Sequence, residues 1–276
     1  MKKPSIQLLI ILLAFFSLLY LGKPLRELLT TVLVDEKNAR FIAGIAVRSV
    51  IVGLAIWWIR RMQLLTFMGL NHPFQAKQLQ SLVIPCTFIG LGLVSNWTTY
   101  TNSDTDTLVL FLSSVLLVGA AEELVFRGLL FPILLRIWCK RKNALVLSAI
   151  VSSLVFGLVH LVNLFQQPEN VVGILSQVFF ACAIGVFFAG LLLRTGNMFL
   201  PILVHAGINF AFGSSELKSA TVATMVETGT TDWKTLLPTT LFFAFIFVGG
   251  LFMLLQSNQD KVLERLTSKP SPDILG

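Results

Sequence analysis

Eight apolar stretches, near residues 6–22, 41–59, 79–95, 107–127, 144–163, 171–193, 199–213 and 236–255, constrain this chain more than any other feature. A helix rising ~1.5 Å per residue needs about 20 apolar residues to cross a hydrocarbon layer. Inside lipid every backbone N–H and C=O must be satisfied within the protein, and a helix does this by itself. The pattern therefore predicts an all-α fold, a polytopic membrane bundle of about eight transmembrane helices. The fourth stretch can run on as an apolar arm through Leu135, and the seventh is short for a full crossing. Composition agrees. Only 13% of the 276 residues are charged and mean hydropathy is +0.82, whereas soluble domains carry about 25% charged residues.

The net charge of +7 would suit a nucleic-acid partner only if it were gathered into a groove. Instead the Lys and Arg residues cluster between apolar runs, as in loops that fix topology, so the partner is the lipid bilayer and not nucleic acid. With the N-terminus in the cytoplasm, thirteen basic residues fall inside and six outside, while Arg48 and Arg127 lie within helices. That bias places both termini in the cytoplasm, and the segment 96–107, "NWTTYTNSDTDT", carries acids and no base, as an external loop should. The first apolar run has no small-x-small cleavage site after it and reads as an uncleaved helix. Cys86, Cys139 and Cys182 are isolated, without pairing or ligand spacing. The gap 214–235 reads as a Ser/Thr-rich loop, and the polar tail from Gln256 as a mobile end.

Against this background the polar residues inside spans stand out. A charge at bilayer depth costs at least ~3 kcal/mol, so each one needs a reason. Glu122 and Glu123 are the only acids within the apolar stretches. On a helix Glu123 and Arg127 are four apart and can neutralise each other, whereas Glu122 points ~100° away and is left as a carboxylate able to take and return a proton. Of the three histidines, His72 lies in a polar turn and carries no role. His160 ends the fifth span and His205 lies in the seventh, with Phe156 and Asn209 respectively four residues away on the same faces. By counting, Glu122 falls toward the inner side of its span and His160 toward the outer end of its own. A shared site therefore requires the fourth span to extend or tilt. In the turn "GLLLRTGNMFLPIL", Gly196 can end one helix in a left-handed conformation and Pro201 can open the next.

These residue types admit several uses. Glu122, His160, His205 and Asn209 can activate a water and stabilise an oxyanion, the two needs of hydrolysis. Glu122, His160 and His205 can equally offer a zinc ion a Glu–His–His set. A non-catalytic immunity or partner-binding protein could use the same helices for docking. A proton-coupled transporter could use the same groups as a relay, although the chain shows no internal repeat of the kind many transporters have.

Three motifs in order, "EELVFR" (Glu122, Glu123, Arg127), "FGLVH" (Phe156, His160) and "HAGIN" (His205, Asn209), resemble the CAAX-protease and bacteriocin-processing (CPBP, or Abi) family of intramembrane proteases. Each motif is weak alone, but together, within helices and with Glu122, His160 and His205 spaced by 38 and 45 residues, they are specific. The resemblance covers about 107–213, which divides the chain into three N-terminal spans (1–106), a catalytic core of four spans (107–213) and an outer loop, last span and tail (214–276). It implies a peptidase acting on a membrane-associated or prenylated substrate, while the short loops point to a prokaryotic cytoplasmic membrane or an organelle derived from one. Glu122 with His160 would activate water and His205 with Asn209 would hold the oxyanion, while Glu123 and Arg127 hold the helix. Both a zinc-dependent and a metal-free glutamate mechanism are compatible with it.

Overall fold

In the computed structural model the described residues are 4–32, 36–69, 80–165, 167–217 and 233–267, and among them there is no strand. The first helices are α1 (Pro4–Val32), α2 (Glu36–Arg61), α3 (Leu65–Met68), α4 (Val83–Ser95) and α5 (Trp97–Thr101). Then α6 (Thr105–Val125) passes through a π-helical turn, Phe126–Leu130, into α7 (Phe131–Trp138). A 3-10 segment, His160–Phe165, follows α8 (Ala144–Val159), and after it come α9 (Val171–Thr195) and α10 (Phe199–Phe212). A 3-10 turn at Ser214–Leu217 precedes α11 (Trp233–Leu255) and α12 (Gln259–Thr267). The chain is thus an integral membrane protein built as a polytopic helical bundle.

Among the described residues five helical runs are long and apolar enough to cross a bilayer: Ser5–Val32, Glu36–Arg61, Thr105–Trp138, Ala144–Phe165 and Val171–Thr195. A sixth is reached if Thr240–Leu255 and Gln259–Thr267, bent by 76°, form one span. The third and seventh apolar stretches give the shorter helices Gln80–Ser95 and Phe199–Phe212. The latter's 14 residues rise only about 21 Å, short of the ~30 Å of hydrocarbon. The fourth stretch does extend, through Trp138. The tail departs from expectation, because α12 is ordered as far as Thr267. Asn258 Oδ1 accepts from Lys261 N at 3.1 Å at its start, and Val262 and Leu266, four apart, bury one face. The turn holding His72, most of the 214–235 loop and the tail after Thr267 lie outside the described residues.

The chain divides into two compact units. The first comprises Met1–Trp58, Ala76–Val125 and Phe199–Gly229. Its aromatic core gathers Phe41, Tyr100, Phe111, Val115 and Leu217, with Phe210 stacked on Tyr100 at 5.1 Å. Asp104 accepts from Thr107 N at 2.8 Å and caps α6, and that hydrogen bond holds its carboxyl below the usual range. The second unit comprises Ile59–Gln75, Phe126–Met198 and Thr230–Gly276. There α9 packs between α8 and α11, and small residues set the approach: a Cβ on Gly157 would meet Val178 O at 2.8 Å, and one on Gly190 would meet Gly250 O at 2.8 Å. Gly196 ends α9 at φ 63°, as its sequence context predicts, with its N–H on Leu192 O at 2.7 Å.

A candidate active site on α6 and α10

In the first unit α6 and α10 meet backbone to backbone. A Cβ on Gly119 would lie 2.9 Å from Ile202 O and 3.1 Å from Ala206 N, so only glycine permits this approach. One turn further along α6 come Glu122 and Glu123, and beside Ala206 on α10 comes His205. The close contact therefore delivers an imidazole to a carboxylate pair.

The far end of α10 is clasped. Its carbonyls at Phe210 and Ala211, which no helical N–H would satisfy, accept from the Tyr100 hydroxyl, and Ala211 O also accepts from Asn96 Nδ2 at 3.1 Å. Ser214 Oγ in turn donates to Asn96 Oδ1 at 2.6 Å. At the other end Pro201 occupies the first turn, where a missing N–H costs nothing. The clasp fixes the position of His205 along the helix.

His205 Nδ1 lies 2.8 Å from Glu123 Oε1, and its Nε2 lies 3.5 Å from Glu122 Oε2. A carboxylate only accepts, so Nδ1–H donates to Glu123 and Nε2 is left to face Glu122. The two acids differ sharply in access. The Glu123 side chain is 0% exposed, while that of Glu122 is 24% exposed. One carboxylate orients the ring and the other is within reach of water. Asn209 follows His205 by one turn on the same face of α10 and is half-buried.

The other two sequence-selected residues belong to the second unit. Arg127, in the π-helical turn, is 1% exposed, with its guanidinium carbon 4.5 Å from the Phe156 ring centroid and 5.4 Å from that of Phe188. Gly185 makes room for it, since a Cβ there would sit 2.8 Å from Arg127 Nη2. His160 is half-buried, with Nδ1 3.1 Å from Phe156 O and its ring edge-on to Phe156. Phe156, the first letter of the "FGLVH" motif, thus packs against both Arg127 and His160.

Among the described residues no group of three or more His, Cys, Asp or Glu side chains could hold a metal ion. Within the first unit Glu122 and His205 present two donors, one fewer than the three protein ligands a catalytic zinc takes.

Sequence reasoning missed Gly119, Tyr100 and Asn96. The small run "GAA" before the glutamates was a readable signal for close packing. The clasp had none, because its partners are more than a hundred residues apart.

The first unit thus brings a carboxylate pair and an imidazole together inside an apolar helical bundle. Residues 104–211, which contain all six residues selected from the sequence, match the family described as type II CAAX prenyl endopeptidase Rce1-like. The match covers less than half of the chain and supports a CAAX-type intramembrane protease family for this segment. No curated protein matches the chain, and no solved structure does.

Proposed function

We propose that this protein is an intramembrane endopeptidase that cleaves membrane-associated substrates ending in a prenylated Cys-a-a-X sequence, with Glu122 as the proton-transferring base. The carrying observation is His205, tied through Nδ1 to Glu123 with Nε2 3.5 Å from Glu122, within the family-matched segment. In this reading Glu122, the accessible acid, takes a proton from water as the hydroxyl adds to the scissile carbonyl, aided by His160. In its imidazolium form, with Nδ1–H kept on Glu123, His205 donates through Nε2–H, together with the Asn209 amide, to the oxyanion as it forms. The C–N bond then breaks, and Glu122 returns the proton to the leaving amine. Glu123 and Arg127 act as positioning residues. The thirteen-to-six charge bias supports cytoplasmic termini, and the compact loops suit a prokaryotic cytoplasmic membrane.

The test is cleavage of a prenylated peptide by the purified full chain in lipid nanodiscs. Glu122→Gln should lower kcat/KM by about 10²–10⁴-fold while insertion and thermal melting are unchanged. Full activity in that variant would remove Glu122 from the mechanism.

A further inference from the structure

One further ionisable residue at membrane depth in the first unit, Arg48, has no part in the chemistry above. Arg48 stands mid-way along α2, which is long and apolar enough to span the bilayer. Three contacts fix its position. Thr107 Oγ1 donates to Asn38 Oδ1 at 3.5 Å, the Phe41 and Phe111 rings are 5.9 Å apart, and a Cβ on Gly44 would lie 3.8 Å from Ser114 Oγ. Steps of three or four residues on both helices mean that α2 and α6 run parallel here. Arg48 follows Phe41 by seven residues and so shares the face turned to α6.

Its guanidinium folds back over Gly44. A Cβ on that glycine would lie 2.3 Å from Arg48 Nη1, so glycine is what makes the space. The charged group therefore sits at the level of Ser114, eight residues before Glu122, or about 12 Å along α6. Among the described residues none makes a hydrogen bond or close ion pair with it. The acids within electrostatic range are Glu122 and Glu216, and Glu216 is already held by Arg40 at 3.0 Å. A guanidinium at membrane depth offers five donors in a fork that matches a carboxylate, and leaving them unused is expensive. Arg48 is half-buried, so a ligand can reach it.

The length of the gap identifies the anion. Cleavage next to the prenylated Cys of a Cys-a-a-X terminus leaves three residues between the scissile bond and the chain end, an extended reach of about 10 Å. That matches the separation between Glu122 and the Arg48 guanidinium along α6. We propose that Arg48 binds the terminal carboxylate of the substrate and so measures the distance from chain end to scissile bond. The inference rests on the peptidase reading, but it is tested separately.

The experiment compares one prenylated peptide as its C-terminal free acid and as its C-terminal amide, on the full chain in nanodiscs. The wild type should favour the acid by about ten- to a hundredfold in kcat/KM, a preference that Arg48→Gln abolishes and Arg48→Lys retains in part. The acid-to-amide ratio is internal to each protein, so a partly unfolded variant does not distort it. If Arg48→Gln lowers both peptides equally and keeps the preference, Arg48 acts on Glu122 alone and the inference falls. Equilibrium binding of both peptides to the Glu122→Gln protein separates the two claims. An Arg48-dependent acid preference in binding upholds the inference even if no peptide is cleaved, and its absence overturns it.

Discussion

Each unit buries charge, but by opposite means. In the first, His205 is held at 2.8 Å by Glu123 and faces Glu122 at 3.5 Å, a cluster whose members can gain or lose a proton. In the second, Arg127 is enclosed by the faces of Phe156 and Phe188, with centroids 4.5 and 5.4 Å from its guanidinium carbon. A guanidinium does not titrate in proteins, and aromatic quadrupoles stabilise its charge without exchanging protons. The contrast separates a cluster suited to proton transfer from a fixed charge suited to rigidity. A carboxylate–imidazole cluster can change its proton inventory during a reaction, whereas an arginine stacked on phenylalanines keeps a fixed charge.

The comparison is broken most directly at His205. His205→Ala should lower kcat/KM by about 10²–10³-fold, the usual loss on removing an oxyanion donor, with little change in melting temperature. Parallel melts and single-turnover cleavage of a prenylated peptide decide it. A large loss of stability with proportionate loss of activity would make the cluster structural and erase the contrast.

Much of the first region was legible because ionisable residues in apolar sequence are conspicuous. Glu122, Glu123 and His205 needed only hydropathy and spacing to be singled out, and the structure brings these three together. The helical class was equally plain, since an apolar run of that length has no other way to satisfy its backbone. Less was legible where the answer depends on neighbours distant in sequence. The short helices Gln80–Ser95 and Phe199–Phe212 passed as spans because a hydropathy window senses composition and not where a helix stops. The π-helical turn at Phe126–Leu130 gave no sequence signal. Its carbonyl at Phe126 accepts from Ser152 Oγ at 3.0 Å, a partner contributed by another helix. The Glu123–His205 contact was not legible either, because an i,i+4 relation is visible in one dimension and a helix crossing is not.

Gly119 sharpens the comparison from the packing side. If the chemistry of the first unit depends on α6 and α10 touching, then Gly119→Val should push the helices apart, destabilising the protein by about 1–3 kcal/mol through overpacking. Activity should fall further than that loss explains, because His205 moves away from both carboxylates. Gly119→Ala should show a smaller version of both effects. Equal proportional losses in melting and in cleavage would mean that the helix contact serves stability only.

The smallest effect is expected in the second region, and it tests whether rigidity is all that Arg127 provides there. Arg127→Lys keeps the positive charge but replaces a flat guanidinium, which stacks on Phe156, with a compact ammonium that cannot. The lost stacking should cost about 1 kcal/mol at a desolvated position and register as a lower melting temperature. Cleavage at a temperature where both proteins are folded should change by less than about threefold, since lysine still meets the charge requirement of the site. Phe156→Leu, which removes the ring and leaves the arginine, should produce a similar shift in melting. The double variant should then be less than additive, because both changes delete one and the same contact. Full additivity would show that Arg127 and Phe156 stabilise the unit independently, and that the short guanidinium–ring distance is incidental to its rigidity.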